Sequence, residues 1–202
     1  MSLYFKRMKE RLRKSLLALA MASLAVLLNA CETYQVPITY ADPATIQPGP
    51  RTVDLGRFID DRDEKGTALG SIKNEVGIPV KTLTTRKPIP ELVHNAVGYG
   101  LKARGMLVDK GEGRIVIGAR VKEYYVHQLA SQEAGCKIQF EYFRRGDPRP
   151  IMVKTYRSQR NHRTPKVSYF GDVDEVADLA SAALNDVIDQ ALDDPDFRRL
   201  LR

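Results

Sequence analysis

The 202 residues hold only two cysteines and three histidines, which leaves little for a disulfide framework or a metal centre. His94, His127 and His162 lie far apart, with no HExxH pair and no partner at i, i+4. His127 and Cys136 flank a predicted hairpin loop, but two ligands do not make a zinc site. No GxSxG elbow is present and no pair of carboxylates stands out from the solvated acids. The chain has no internal repeat. The expectation is a protein that is not an enzyme and takes no metal. Cys136 heads a predicted strand and is expected to be a small buried thiol.

Charge is absent over one stretch. Residues 15–30 read SLLALAMASLAVLLNA, preceded by Lys6, Arg7, Lys9, Arg11, Arg13 and Lys14 against the single acid Glu10. A cationic start and a short apolar core are the layout of a secretory signal. As a helix the run would measure about 24 Å, short of a hydrocarbon core of about 30 Å, and no basic stop-transfer cluster follows. Its end, Leu28-Asn29-Ala30-Cys31, resembles the lipobox of bacterial lipoproteins. The resemblance implies cleavage between Ala30 and Cys31, a diacylglyceryl group on the Cys31 thiol and an acyl chain on its amine. Those acyl groups are the only non-protein component expected, and two or more chains give lasting attachment. Glu32 stands where Asp would favour inner-membrane retention, which points to the outer membrane with the domain facing the periplasm.

The formal charge of +7 does not mark a nucleic-acid binder. The first thirty residues carry six of the basic groups and one acid, so the chain from Cys31 onward keeps only +2. No nucleic-acid partner is expected. The 172 residues left after cleavage suffice for one domain with a core.

Periodicity divides the chain into a signal peptide (1–30), a lipidated tether (31–50) and a single domain (51–202). Pro37, Pro43, Pro48 and Pro50 make the tether read as extended, since proline resists helix and lacks a ladder donor. The nineteen residues from Glu32 to Pro50 would span about 60 Å. Strands are expected at 52–59, 78–83, 106–108, 115–126, 137–143 and 151–157. Helices are expected at 90–104, closed by Gly105, and at 172–192, where Val173, Val176, Ala180, Ala183, Val187 and Ala191 form one stripe. The fold class is α+β: a mixed, mostly antiparallel sheet with two main helices packed on it.

Two motif fragments fail in context. Gly98-Tyr99-Gly100-Leu101-Lys102-Ala103 matches a dinucleotide pattern but falls inside a predicted helix, where the N–H groups are already used. Asp61-Arg62-Asp63-Glu64-Lys65-Gly66 resembles the start of an EF-hand loop, yet Lys65 and Ile72 occupy ligand places. It reads as a solvated charge run.

Charge is segregated along the remainder. Residues 144–166 hold eight basic groups and one acid; residues 172–196 hold nine acids and no base. Two readings stand side by side. In one, the segments neutralise each other in weak, screened pairs. In the other, Arg144, Arg145 and Arg149 at a hairpin tip, with Arg160 and Arg163 in the next loop, form a surface for anionic lipid, lipopolysaccharide or an acidic partner.

Phe58-Ile59-Asp60-Asp61-Arg62, Gly70-Ser71-Ile72-Lys73-Asn74 with Gly77, and Leu101-Lys102-Ala103-Arg104-Gly105-Met106-Leu107-Val108 carry a family likeness. Together they resemble the YajG-like outer-membrane lipoproteins and, more loosely, auxiliary lipoproteins of lipid-exporting ABC systems. The resemblance implies a periplasm-facing domain and brings no catalytic residues. Three functions follow in order: a lipid-anchored binding or assembly domain for an unidentified envelope protein, an accessory lipoprotein of lipid or lipopolysaccharide transport, and an envelope hydrolase. An exposed apolar groove would favour the second, and a buried acid–base pair in a cleft the third.

Overall fold

The computed structural model describes residues 32–41, 46–129, 131–162 and 173–202. The signal peptide, Cys31 and Arg163 therefore lie outside the described residues. In chain order the elements are β1 (Glu32–Val36), β2 (Val53–Asp60), β3 (Ala68–Lys73), β4 (Pro79–Thr85), α1 (Ile89–Ala103), β5 (Ile115–Gln128), β6 (Gln132–Arg144), β7 (Pro150–His162), α2 (Val173–Leu192) and α3 (Pro195–Leu200).

The fold class is as expected, a mixed and mostly antiparallel sheet carrying two long helices. Its seven strands run in the order β1-β4-β3-β5-β6-β7, with β2 also paired to β5. The antiparallel pairs are β3–β4, β5–β6 and β6–β7, whereas β2 and β3 both run parallel to β5. Fourteen-residue β5 is long enough to take β2 along its first half and β3 at its end.

A bulge keeps β5 in phase. Ile115, Ile117, Ala119 and Val121 are buried, and after the register shift between Val121 and Glu123 the buried residues become Tyr124, Val126 and Gln128. One extra residue on the bulged strand moves the inward face from odd to even positions. The opposite face is polar, with ion pairs Arg120–Glu141 (2.9 Å), Lys122–Asp61 (2.8 Å) and Lys137–Glu123 (3.1 Å).

α1 ends as its sequence dictates. Gly105 takes φ +69°, its N–H donates to Lys102 O, and Met106 N–H donates to Leu101 O. This is a Schellman cap, for which glycine is the favoured residue. Val93, Ala96, Val97 and Leu101 are buried beneath it, and Leu92 is half-buried. α2 lies across β5, β6 and β7 and touches α1. Its expected stripe is found, with Val176, Ala180, Ala183, Val187 and Ala191 all buried.

Two expectations need correction, and two elements, β3 and α3, are not among those expected. The segment after Cys31 is no free tether: Glu32–Val36 is strand β1 beside β4, and Tyr34, Val36, Ile38 and Tyr40 pack on the core. Thr39 N–H donates to Ser181 Oγ (3.2 Å) and the Tyr40 hydroxyl to Asp189 Oδ1 (2.6 Å). Residues 106–108 do not form a strand beside β5; Leu107 makes one parallel bridge to Val53, and Met106 O accepts from Thr52 and Val53. β3 lies in a segment to which the sequence assigns no element, its buried residues reduced to Leu69 and Ile72. Helix α3 follows Asp194, whose carboxylate caps the N–H groups of Asp196 and Phe197. Phe197 is buried against Tyr142, ring centroids 5.0 Å apart. Residues 33–202 form one compact unit.

Candidate functional site

Basic side chains gather at one end of the sheet. Ile115, the first residue of β5, pairs with Arg144, the last of β6. The hairpin that follows turns at Gly146 (φ +83°) and presents Arg149, whose N–H donates to Asp147 Oδ1 (2.9 Å). Arg114 and the C-terminal helix approach the same end: Arg114 Nη2 donates to Leu201 O (2.7 Å). Between them lies a cavity of about 530 Å³, lined by Arg114, Arg144, Arg145, Arg199 and Arg202 with Ile115, Ile151 and Leu200. Guanidinium forks match carboxylate and phosphate oxygens two at a time, so this lining suits an anion.

The members differ in freedom. Arg145 donates to Gly113 O (2.7 Å) and to Asp54 Oδ2 (3.1 Å), and Asp54 also takes the N–H of Gly111 (2.7 Å) and of Leu55 (2.8 Å). Arg145 thus ties its own hairpin to the 109–113 loop and to β2 before it can hold a ligand. Arg199 is tied to Asp196. Arg144 and Arg149 are exposed and carry no acidic partner among the described residues.

The five-arginine surface read from the sequence is therefore split. Arg144, Arg145 and Arg149 share one end. Arg160 is in β7 rather than a loop, paired with Ala134, about 33 Å further along the strand. It donates twice to Asp186 (2.7 and 2.5 Å). Nearby on β7, Lys154 sits between Asp194 (2.9 Å) and Asp196 (2.5 Å), whose carboxylates hold its ammonium well above the usual lysine range. Burial pushes the Asp194 carboxyl up, and Lys154, Tyr156 and backbone donors outweigh it, leaving it below the usual range. For Lys154 and Arg160 the charge segregation ends in mutual neutralisation. Arg199 and Arg202 belong to the basic cluster that closes the chain, whereas nothing in the sequence around Arg114 points to it.

An apolar groove lies elsewhere, between the segment after β1 and α1. It has a volume of about 370 Å³ and is lined mainly by Val36, Pro37, Ile38, Tyr40, Leu92, Ala96, Tyr99 and Leu184, with Arg86 and Lys87 among its lining residues. Tyr99 is half exposed above it. Lys87 is paired with Glu91 (2.5 Å), and exposed Arg86 has no acidic partner among the described residues.

The motif fragments resolve into structural parts. A Cβ on Gly100 would lie 2.9 Å from Leu192 Cδ1 and 3.0 Å from the Tyr40 hydroxyl, so this glycine admits α2 and the Tyr40 segment rather than a pyrophosphate. Arg62 is buried, contrary to a solvated run. Its guanidinium meets both Asp60 oxygens (2.8 and 2.9 Å) and the carbonyls of Ala68, Gly66 and Tyr124. Cys136 is buried opposite Tyr124, and burial pushes its thiol up. His127 is three places beyond Tyr124 on the other face of the sheet, so it shares no site with Cys136. Among the described residues no group of three potential metal ligands converges, and no helix is long and apolar enough to cross a membrane.

No protein-family model and no curated protein matches the chain. Its fold is shared with a Xanthomonas campestris protein of the DUF330 family: TM-score 0.54, 10% identity, covering 79% of this chain and 92% of that one. At that identity the likeness shows the fold alone. A minor lipoprotein from Acinetobacter baumannii (TM-score 0.42, 13% identity, 66% and 93% coverage) is a looser likeness and carries no argument. The same holds for a PelC dodecamer from Paraburkholderia phytofirmans that carries a leucine-to-methionine substitution (TM-score 0.38, 13% identity, 77% and 96%).

Proposed function

We propose that this chain is a lipoprotein precursor, anchored through acyl groups on Cys31 in the outer membrane, whose domain faces the periplasm and binds an envelope partner without catalysing a reaction. The observation that carries the reading is the lipobox-like Leu28-Asn29-Ala30-Cys31 that closes the apolar run. The resemblance to YajG-like lipoproteins supports the same reading. So does the use made of the paired cations: Arg62, Arg104 and Lys154 form ion pairs with Asp60, Asp193 and Asp194.

Radioactive palmitate fed to cells should label the full-length protein and not Cys31→Ala, which should keep its signal peptide and fractionate with the inner membrane. A labelled Cys31→Ala variant would sink the reading. The second reading, an accessory lipoprotein of lipid or lipopolysaccharide transport, is favoured by the apolar groove with Arg86 beside it, in the size range of small-ligand sites.

A further inference from the structure

The end of the sheet opposite the arginine cavity carries an unusual set of apolar side chains. Val76 is 77% exposed and Ile78 59%, both in the turn between β3 and β4; Leu129, in the turn between β5 and β6, is 48% exposed. These turns sit side by side, because Ile72 pairs with Gln128 and Lys73 with Pro79. The first is firmly built. Asn74 Oδ1 accepts from Val76 N–H (3.2 Å) and Ile78 N–H (2.9 Å), and Gly77 takes φ +83°. Its charged neighbours are Lys73 and Glu75. Large apolar side chains held out on built turns, left exposed among the described residues, mark a contact surface.

The chain path says what covers them. Tyr34 O in β1 accepts from Thr84 Oγ1 (3.3 Å), and its ring lies 4.8 Å from Lys81 Nζ, while Val36 shares the groove with Arg86 and Lys87. Going back from Val36 to Glu32 therefore leads along β4 toward Pro79 and the Asn74–Ile78 turn. Cys31 is one further step of about 3.8 Å. The acyl chains expected on Cys31 would thus be attached one residue before the end of β1 that runs toward the bare apolar turns.

We infer that Val76, Ile78 and Leu129 dip into the headgroup–acyl boundary of the bilayer that holds the Cys31 lipid, so that the domain stands end-on upon it. This rests on the lipoprotein reading. The arginine cavity lies thirteen residues of β5 away, about 40 Å from that surface, and opens toward the periplasm rather than the anchoring membrane. Amphipathic insertion to a depth of about 5–10 Å needs only such side chains at turn tips.

The test uses the full-length, lipidated protein reconstituted in phosphatidylethanolamine–phosphatidylglycerol vesicles. A fluorophore is attached at Val76→Cys, at Leu129→Cys or at Arg149→Cys; buried Cys136 gives no background. Quenching by lipids with a spin label on the upper acyl chain should be several-fold stronger at positions 76 and 129 than at 149, with aqueous iodide showing the reverse order. Equal lipid quenching at all three positions overturns the inference. So does a position 76 shielded from iodide yet not quenched by lipid, since a second copy or another protein then covers the turn. Palmitate labelling of the same samples separates the two levels: unlabelled protein would mean the anchor reading failed, and labelled protein with unquenched turns would mean the orientation failed.

Discussion

Replacing Arg104 by methionine should unsettle the fold more than any other single loss of charge. Arg104 follows α1 and is fully buried, the largest such side chain in the domain. It donates to Asp193 through Nε (3.0 Å) and Nη2 (2.6 Å), to Asp189 (3.0 Å), to the Tyr40 hydroxyl (3.1 Å) and to Gly100 O (3.3 Å). One guanidinium thus ties α1, the end of α2 and the segment that follows β1. Removing one partner of a buried ion pair costs about 3–5 kcal/mol, because the other charge is left without compensation. Asp189 and Asp193 keep 27% and 28% exposure and can take up water, so the lower end, about 3 kcal/mol, applies. For a domain of this length that is a fall in Tm of about 6–12 °C. Arg160→Met is the control: its pair with Asp186 is 48% exposed on the arginine side, and such pairs contribute about 0–1 kcal/mol.

Acid adds a second reading. Burial raises the Asp193 carboxyl, but Arg104 and Arg198 outweigh it and hold it below the usual range. A carboxyl lowered in the folded state stabilises the fold above its unfolded value of about 3.9, and that contribution is lost as pH falls through the lower folded value. The gap between wild type and Arg104→Met should therefore be full at pH 7 and shrink in strong acid. Circular-dichroism melting of residues 32–202 at both ends of that window measures it. A variant melting within about 2 °C of wild type at pH 7, or a gap unchanged in strong acid, would refute the reasoning.

Val187→Asp should leave a buried carboxylate with no partner and cost several kcal/mol, read as a collapsed or strongly lowered melting transition. Gly70→Ala should loosen β3 from β5, since a Cβ there would lie 1.7 Å from Val126 O; faster amide exchange in β3 and β4, with β6 and β7 unchanged, is the expected pattern.

Local periodicity carried the sheet. Ile138, Phe140 and Tyr142 alternate cleanly, and all three are buried on the helix face. The same alternation misses the bulge at Lys122, because an extra residue leaves both halves of β5 apolar at every second position and only changes which second. β3 is short and half polar, so two buried residues in six gave no period to read. The arginine cavity was legible only in its hairpin members. Arg114, Arg199 and Arg202 come from segments that are neighbours solely through the fold, and no spacing rule links them.

The segment after Cys31 shows why composition can mislead about attachment. Four prolines exclude helix and central strand, which is a statement about backbone geometry and hydrogen-bond donors. Whether the segment is bound depends on its side chains, and Tyr34, Val36, Ile38 and Tyr40 recur at every second residue, the period of a strand with one apolar face. All four pack on the core, and Tyr40 reaches the Arg104 cluster. Proline at 37 falls just after β1 ends, where a ladder donor is no longer needed. The functional consequence reverses with the assignment. A free tether of about 60 Å would let the domain drift from its membrane and would say nothing about its orientation. With Cys31 acylated as proposed, a strand that starts at Glu32 would set which end faces the bilayer, and so which end is left for a partner.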